Sequence, residues 1–119
     1  MAIYKMVVLG KHAIINVREI WNFNITIRSK EMLDLALKIA HALNLNVLSS
    51  KTHNFAPYGC TVILLLSESH LSIHTYPEHS ALSLDLYCCR LNVNFDTMVN
   101  IINEFFENRC TIEQQIIDR

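Results

Sequence analysis

Two mainly apolar segments, 2–8 and 11–17, read as a pair of strands with a turn at Gly10 between them. Over 29–43, SKEMLDLALKIAHAL, the pattern changes. Met32, Ala36, Ile39, Ala40 and Leu43 recur at helical spacing, Ser29 stands at the N-cap position, and Glu31 puts an acid in the first turn. A strand is expected near 46–51, then a loop over 53–59 (HNFAPYG), then an apolar strand over 61–66. Residues 70–76 and 81–89 alternate with period two. In the second of these Leu82, Leu84, Leu86 and Cys88 share one face, and Ser83, Asp85, Tyr87 and Cys89 share the other. With 77–80 between them, the two segments read as a hairpin. If it is symmetric about the bond between Glu78 and His79, partners sum to 157. Ser83 then lies opposite His74, and Cys89 lies opposite Glu68, beside Ser69, so that a serine, a cysteine and a histidine converge. A slip of one residue would reverse every face. A second amphipathic helix is expected over 95–107, with Phe95, Met98, Val99, Ile102, Phe105 and Phe106 inward, and a last strand over 110–117.

This order predicts an α+β fold: a two-layer sandwich of a mainly antiparallel sheet with two helices on one face. The other face of the sheet would then need a cover, and a second copy dimerising through the sheets would supply it.

Composition sharpens that picture. The 119 residues fit a single domain, 1–119. Hydrophobic residues make up 51% of the chain and mean hydropathy is +0.23, which is high for a free monomer and again points to a face buried between subunits. The longest wholly apolar run, 62–66, is far short of the roughly 20 residues that span a membrane. Lys5 and Lys11 fall among the N-terminal residues without a signal-peptide core, so a cytoplasmic chain is expected. A net charge of −1 and the lack of any Lys/Arg cluster argue against a nucleic-acid partner. Four cysteines, Cys60, Cys88, Cys89 and Cys110, are expected as thiols in such a chain.

Residues 67–78, SESHLSIHTYPE, set acid, hydroxyl and imidazole groups directly after an apolar strand. Three readings compete: satisfied polar groups on a half-solvated sheet face, a metal site drawn from His70, His74, His79 and the cysteines, or nucleophile chemistry at Ser69. His70 and His74 stand at i, i+4, a spacing that pairs ligands on a helix. LSIHTY favours a strand, however, and no Glu follows His70 as in a zinc-protease helix, so no metal is expected.

The string SESHLSIHTYPE resembles the processing-site signature of prokaryotic-type S-adenosylmethionine decarboxylases. Gly10-Lys11-His12 is similar to that family's Gly-Lys/Arg-His. Residues 53–59 resemble its His-x-Phe-x-Pro-x-Gly loop, and Asp85 and Cys89 keep its Asp-x-x-x-Cys spacing. The resemblance implies a proenzyme that cuts itself between Glu68 and Ser69 into a β chain, 1–68, and an α chain, 69–119. It implies that the Ser69 hydroxyl attacks the Glu68 carbonyl to form an ester, that His74 removes the Ser69 Cα proton, and that the dehydroalanine so formed hydrolyses to a pyruvoyl group and ammonia. That cofactor would form a Schiff base with the amine of a small-molecule substrate and act as electron sink for the carbanion left by CO2 loss. Cys89 matches the family's proton donor, a role suited to a thiol. Phe55 matches its adenine-stacking aromatic and Glu78 an acid near the ribose. The product would be decarboxylated S-adenosylmethionine for spermidine synthesis, and the 53–61 loop would meet the serine site across a homodimer interface.

The chain also departs from the pattern. Cys60-Thr61-Val62 stands where the family usually has Val-Ser-Gly; Thr61 keeps the hydroxyl that assists processing but adds a methyl that restricts its rotamers. His79-Ser80-Ala81 stands in place of Tyr-Gly-Tyr, Arg90 in place of glycine, and Tyr76 in place of tryptophan. Such changes leave arginine or ornithine as alternative substrates. A non-catalytic dimeric binding protein is the alternative from another class.

Overall fold

The structure is a computed structural model that describes residues 7–24 and 27–119. Six strands and two helices follow in the order β1 (Lys11–Arg18), α1 (Ser29–Ala42), β2 (Val47–Asn54), β3 (Cys60–Leu66), β4 (Ser69–Tyr76), β5 (Ala81–Cys88), α2 (Phe95–Phe105) and β6 (Thr111–Asp118). A short 3₁₀ turn, Pro77–His79, joins β4 to β5. The strands form one sheet in the order β2-β3-β4-β5-β1-β6, and each pairing is antiparallel. The expected α+β sandwich is what is observed.

Alternation decides which face of the sheet is covered. Ala13, Ile15 and Val17 of β1, Val62 and Leu64 of β3, Leu71 and Ile73 of β4, and Leu82, Leu84 and Leu86 of β5 are buried, and they pack with Met32, Leu35, Ala36 and Ile39 of α1 and Met98 and Ile102 of α2. At roughly 25 cal/mol per Å² of apolar surface removed from water, this layer is the main source of stability. The other face carries the intervening residues, and there Ile63 (46%) and Leu65 (52%) stay exposed.

The expected β4–β5 register is observed: Ser69 pairs with Cys88, His74 with Ser83, and Tyr76 with Ala81. Several boundaries shift. The predicted strand 2–8 falls mostly outside the described residues, and Val7 and Val8 lie in no strand. Gly10 makes no turn. Its role is close approach, because a Cβ there would stand 2.6 Å from the Tyr87 hydroxyl oxygen. Arg28, not Ser29, is the N-cap of α1. The Asn54 side chain accepts from the Ser29 backbone N–H (2.9 Å) and donates to its Oγ (3.1 Å), so the helix start is capped from the end of β2. β2 runs on through His53 and Asn54, which shortens the predicted loop to 55–59. Positive φ at Glu107 (56°) and Asn108 (59°) ends the last turn after α2 before β6 begins.

Candidate active site

β3 and β4 are joined by the two-residue turn Ser67-Glu68, with Leu66 paired to Ser69. The Glu68–Ser69 bond therefore lies where the chain enters β4. Asn46 fixes this turn: its carbonyl accepts from the Ser67 N–H (3.0 Å) and its side-chain amide donates to Ser67 Oγ (2.7 Å). Ser69 opens into a pocket of about 180 Å³ shared with Glu68, Cys88, Leu66, Asn46 and Arg90. Arg90 is itself fixed by donating to the Leu43 carbonyl at the end of α1 (2.6 Å). Cys88, opposite Ser69, is buried, whereas Cys89 lies one residue past the end of β5 and is exposed.

A second cluster lies at the far end of β4, on the uncovered face. Thr61 sits opposite His74, and its hydroxyl is 2.6 Å from His74 Nδ1. Phe55, 41% exposed, stacks obliquely near His74 (5.7 Å between rings) and edge-on to His53 (4.7 Å). Tyr76 also tilts against His74 (4.6 Å). The loop that carries Phe55 is closed by the Phe55 N–H donating to the Gly59 carbonyl (2.8 Å) and is held to the start of α1 by Arg28, which donates to the Phe55 carbonyl (3.2 Å). Gly59 takes φ +95°, a conformation that L side chains rarely adopt. Glu78 is exposed in the 3₁₀ turn just beyond.

The expected convergence of Ser69, Cys89 and His74 within one chain does not occur. The register is as expected, but His74 stands five steps along extended strand from Ser69, or roughly 17 Å at about 3.4 Å per residue. Ser69 also shares strand parity with buried Leu71 and Ile73, while His74 faces the uncovered side. One chain thus presents two separate clusters of candidate residues at opposite ends of β4.

Between them lies a third group that the sequence did not bring together. His12 Nε2 is 2.7 Å from Asp85 Oδ2, His70 Nε2 is 3.4 Å from the same oxygen, and Ser72 donates to Asp85 Oδ1. Burial raises the Asp85 pKa, but the hydrogen bonds from Ser72 and His12 and the nearby imidazoles outweigh it, so the carboxyl is held below its ordinary value. The signal for this group was faint: His12, His70, Ser72 and Asp85 all have uncovered-face parity, but that β1 lies beside β5 is not legible from spacing. The metal set first considered is not assembled either; His70 meets His12 and Asp85. Of the four thiols, Cys60 and Cys110 are pushed up in pKa by burial.

These features define a two-layer α+β protein whose candidate functional residues lie at the ends and on the open face of its sheet. Comparison with known proteins narrows the class. The family model described as S-adenosylmethionine decarboxylase matches residues 11–119. The S-adenosylmethionine decarboxylase proenzyme 2 of Bacillus cereus (strain ZK / E33L) is 38% identical over 96 residues, covering 78% of this chain and 75% of that protein. The S-adenosylmethionine decarboxylase proenzyme of Sulfurihydrogenibium sp. (strain YO3AOP1) is 42% identical over 91 residues, covering 76% and 65%. The crystal structure of the adenosylmethionine decarboxylase from Aquifex aeolicus VF5 superposes with a TM-score of 0.81 at 28% identity, covering 94% of this chain and 91% of that one. The chain belongs to the S-adenosylmethionine decarboxylase family.

Proposed function

We propose that this chain is a self-processing S-adenosylmethionine decarboxylase whose pyruvoyl cofactor arises from Ser69, and that it works as a homodimer in which each site draws residues from both copies. The observation that carries the reading is the Glu68–Ser69 bond at a clamped hairpin turn, with Ser69 opening into its own pocket. The Ser69 hydroxyl attacks the Glu68 carbonyl carbon, the C–N bond breaks, and an ester replaces the amide. Loss of the Ser69 Cα proton to His74 expels the Glu68 carboxylate and leaves dehydroalanine. Its hydrolysis releases ammonia and leaves the α chain with a pyruvoyl terminus. The Thr61 hydroxyl, hydrogen-bonded to His74 Nδ1, orients the imidazole and takes the place of the family's serine.

When formed, the pyruvoyl group supplies an electron sink for decarboxylation. The residues present fit it, because position 69 faces a pocket with room for a substrate's amino-acid end. Cys89, exposed in the chain between the pocket-lining Cys88 and Arg90, delivers a proton to the substrate carbon after CO2 leaves. Phe55 offers an exposed ring to adenine and Glu78 a carboxylate to the ribose. Because these two, with Thr61 and His74, lie at the far end of β4, they complete the Ser69 site of a second copy, reaching the exposed Glu68 and the Ser69 backbone at the rim of the sheet where the chain enters β4. The exposed Ile63, Leu65 and Tyr76 give the uncovered face the apolar surface that packing of two copies needs. The relatives favour S-adenosylmethionine over arginine or ornithine, and an enzyme over a binding protein. We place the enzyme in the cytoplasm, supplying spermidine synthesis.

Denaturing electrophoresis and mass spectrometry test the processing. Wild type should give fragments of 68 and 51 residues (119 − 68 = 51), the smaller with a pyruvoyl terminus, and Ser69→Ala should stay whole. The processed protein should release CO2 from S-adenosylmethionine faster than from arginine or ornithine. A folded wild type that remains full-length after long incubation defeats the proposal.

A further inference from the structure

His12, His70 and Asp85 take no part in the processing or decarboxylation steps above, although each belongs to a motif singled out in the sequence. They come from β1, β4 and β5 and meet on the uncovered face. We propose that they form a site for one divalent transition-metal ion per chain, with Zn²⁺ as the best fit, separate from the decarboxylation chemistry.

The donor atoms, His12 Nε2, His70 Nε2 and an Asp85 carboxylate oxygen, all lie within 4.8 Å of one another. Tetrahedral zinc with bonds of about 2.0 Å holds its donors roughly 3.3 Å apart. The His70–Asp85 separation of 3.4 Å already matches that spacing, and the His12–Asp85 separation of 2.7 Å must open by well under an ångström. Two imidazoles and one carboxylate select zinc, iron, cobalt or nickel over magnesium or calcium. The remaining carboxylate oxygen accepts from the Ser72 hydroxyl, the kind of outer contact that fixes a ligand's orientation. Tyr87 flanks both rings, at 5.8 Å from His12 and 6.1 Å from His70. A His12–Asp85 ion pair alone would account for the shorter distance. It would not account for a second imidazole, from a different strand, turned toward the same oxygen.

One neighbour opposes the ion. Arg119 points a donor at His12 Nδ1 (3.4 Å), which favours the ring proton on Nε2, facing Asp85. Metal binding takes the Nε2 lone pair, so that proton moves to Nδ1 and the guanidinium must turn away. Replacing Arg119 with glutamine, which can accept from Nδ1–H, should therefore tighten binding.

The test uses the full chain without a histidine tag, stripped by chelator, and titrated calorimetrically with zinc sulfate. One ion per chain with a micromolar or tighter dissociation constant is expected. His12→Ala and His70→Ala should each weaken it by at least about tenfold, Arg119→Gln should strengthen it, and His79→Ala should leave it unchanged. Asp85 also links strands, so Asp85→Asn can destabilise the fold on its own account; His70→Ala, at a half-exposed ring, is the deciding variant. Cobalt should give visible d–d bands without a thiolate charge-transfer band. Binding no tighter than millimolar, binding that survives His70→Ala, or a thiolate band assigning the metal to the cysteines would overturn the site.

Discussion

At the residue scale, two adjacent cysteines separate chemistry from packing. Cys88 is buried opposite Ser69, and Cys89 is exposed one step beyond β5. The proposal assigns proton donation to Cys89, so Cys89→Ala should still mature but lose about 10²–10⁴-fold in kcat, roughly 3–5 kcal/mol of barrier. Cys88→Ala should cost stability and spare most of kcat. Alkylation of the native protein followed by peptide mass mapping should label Cys89 well before Cys60, whose thiol is both buried and pushed up in pKa. The reverse pattern of kcat loss would remove Cys89 from the mechanism. His74 is assigned to the other step. His74→Ala should stall maturation at the ester, and hydroxylamine, which attacks esters, should then split the chain at 68/69. Thr61→Val should slow the same step while Thr61→Ser should not, because only the hydroxyl meets the imidazole. The candidate residues themselves were legible in the sequence because SESHLSIHTYPE is long and unusual. Their spatial partners were not: a two-residue period gives the face of His12 or Asp85, never the neighbouring strand.

At the scale of elements, period-two alternation set the β4–β5 register because the covered face of β5 is a row of leucines, and a slip would have driven Leu82, Leu84 and Leu86 into water. Helix ends were less legible. Ser29 satisfies the local rule for an N-cap, but a side chain from β2, twenty-five positions away, performs the capping, and no window of local sequence contains it. The loop 55–59 shows how such anchoring serves the site: Asn54 and Arg28 tie its base to α1, and Gly59 lets it fold back so that Phe55 reaches His74. Gly59→Ala forces a Cβ onto φ +95°, at a cost of about 1–3 kcal/mol. Thermal melting should show this as a fall of several degrees. If the loop positions the adenine-stacking ring, KM for S-adenosylmethionine should rise more than kcat falls. A change in kcat alone would mean that Phe55 does not contact substrate.

At the scale of the whole molecule, strand register alone led to convergence within one chain, whereas the family resemblance implied a site shared between two copies, and the structure sets the two ends of β4 apart. The register was right, yet the inference from it failed because distance along a strand adds up: His74 pairs where expected but lies roughly 17 Å from Ser69. Two clusters of candidate residues at opposite ends of one strand, flanking an uncovered face with exposed Ile63 and Leu65, would suit the proposed isologous dimer, in which each end of one sheet meets the opposite end of its partner. This arrangement makes a prediction that a self-sufficient chain cannot meet. Ser69→Ala and His74→Ala chains should each remain uncut when produced alone. Produced together, they form mixed dimers, and one of the two sites then combines Ser69 from the His74→Ala chain with His74 from the Ser69→Ala chain. That site is complete. Cleavage should therefore appear in the mixture, and only in the His74→Ala chain, which mass spectrometry distinguishes by the substitution it carries. At random pairing about half of the dimers are mixed, so at most about half of the His74→Ala chains should be cut. If the mixture stays uncut while size-exclusion chromatography and differently tagged partners show that mixed dimers have formed, Ser69 and His74 must act within one chain, and β4 would have to leave its extended conformation for processing to occur.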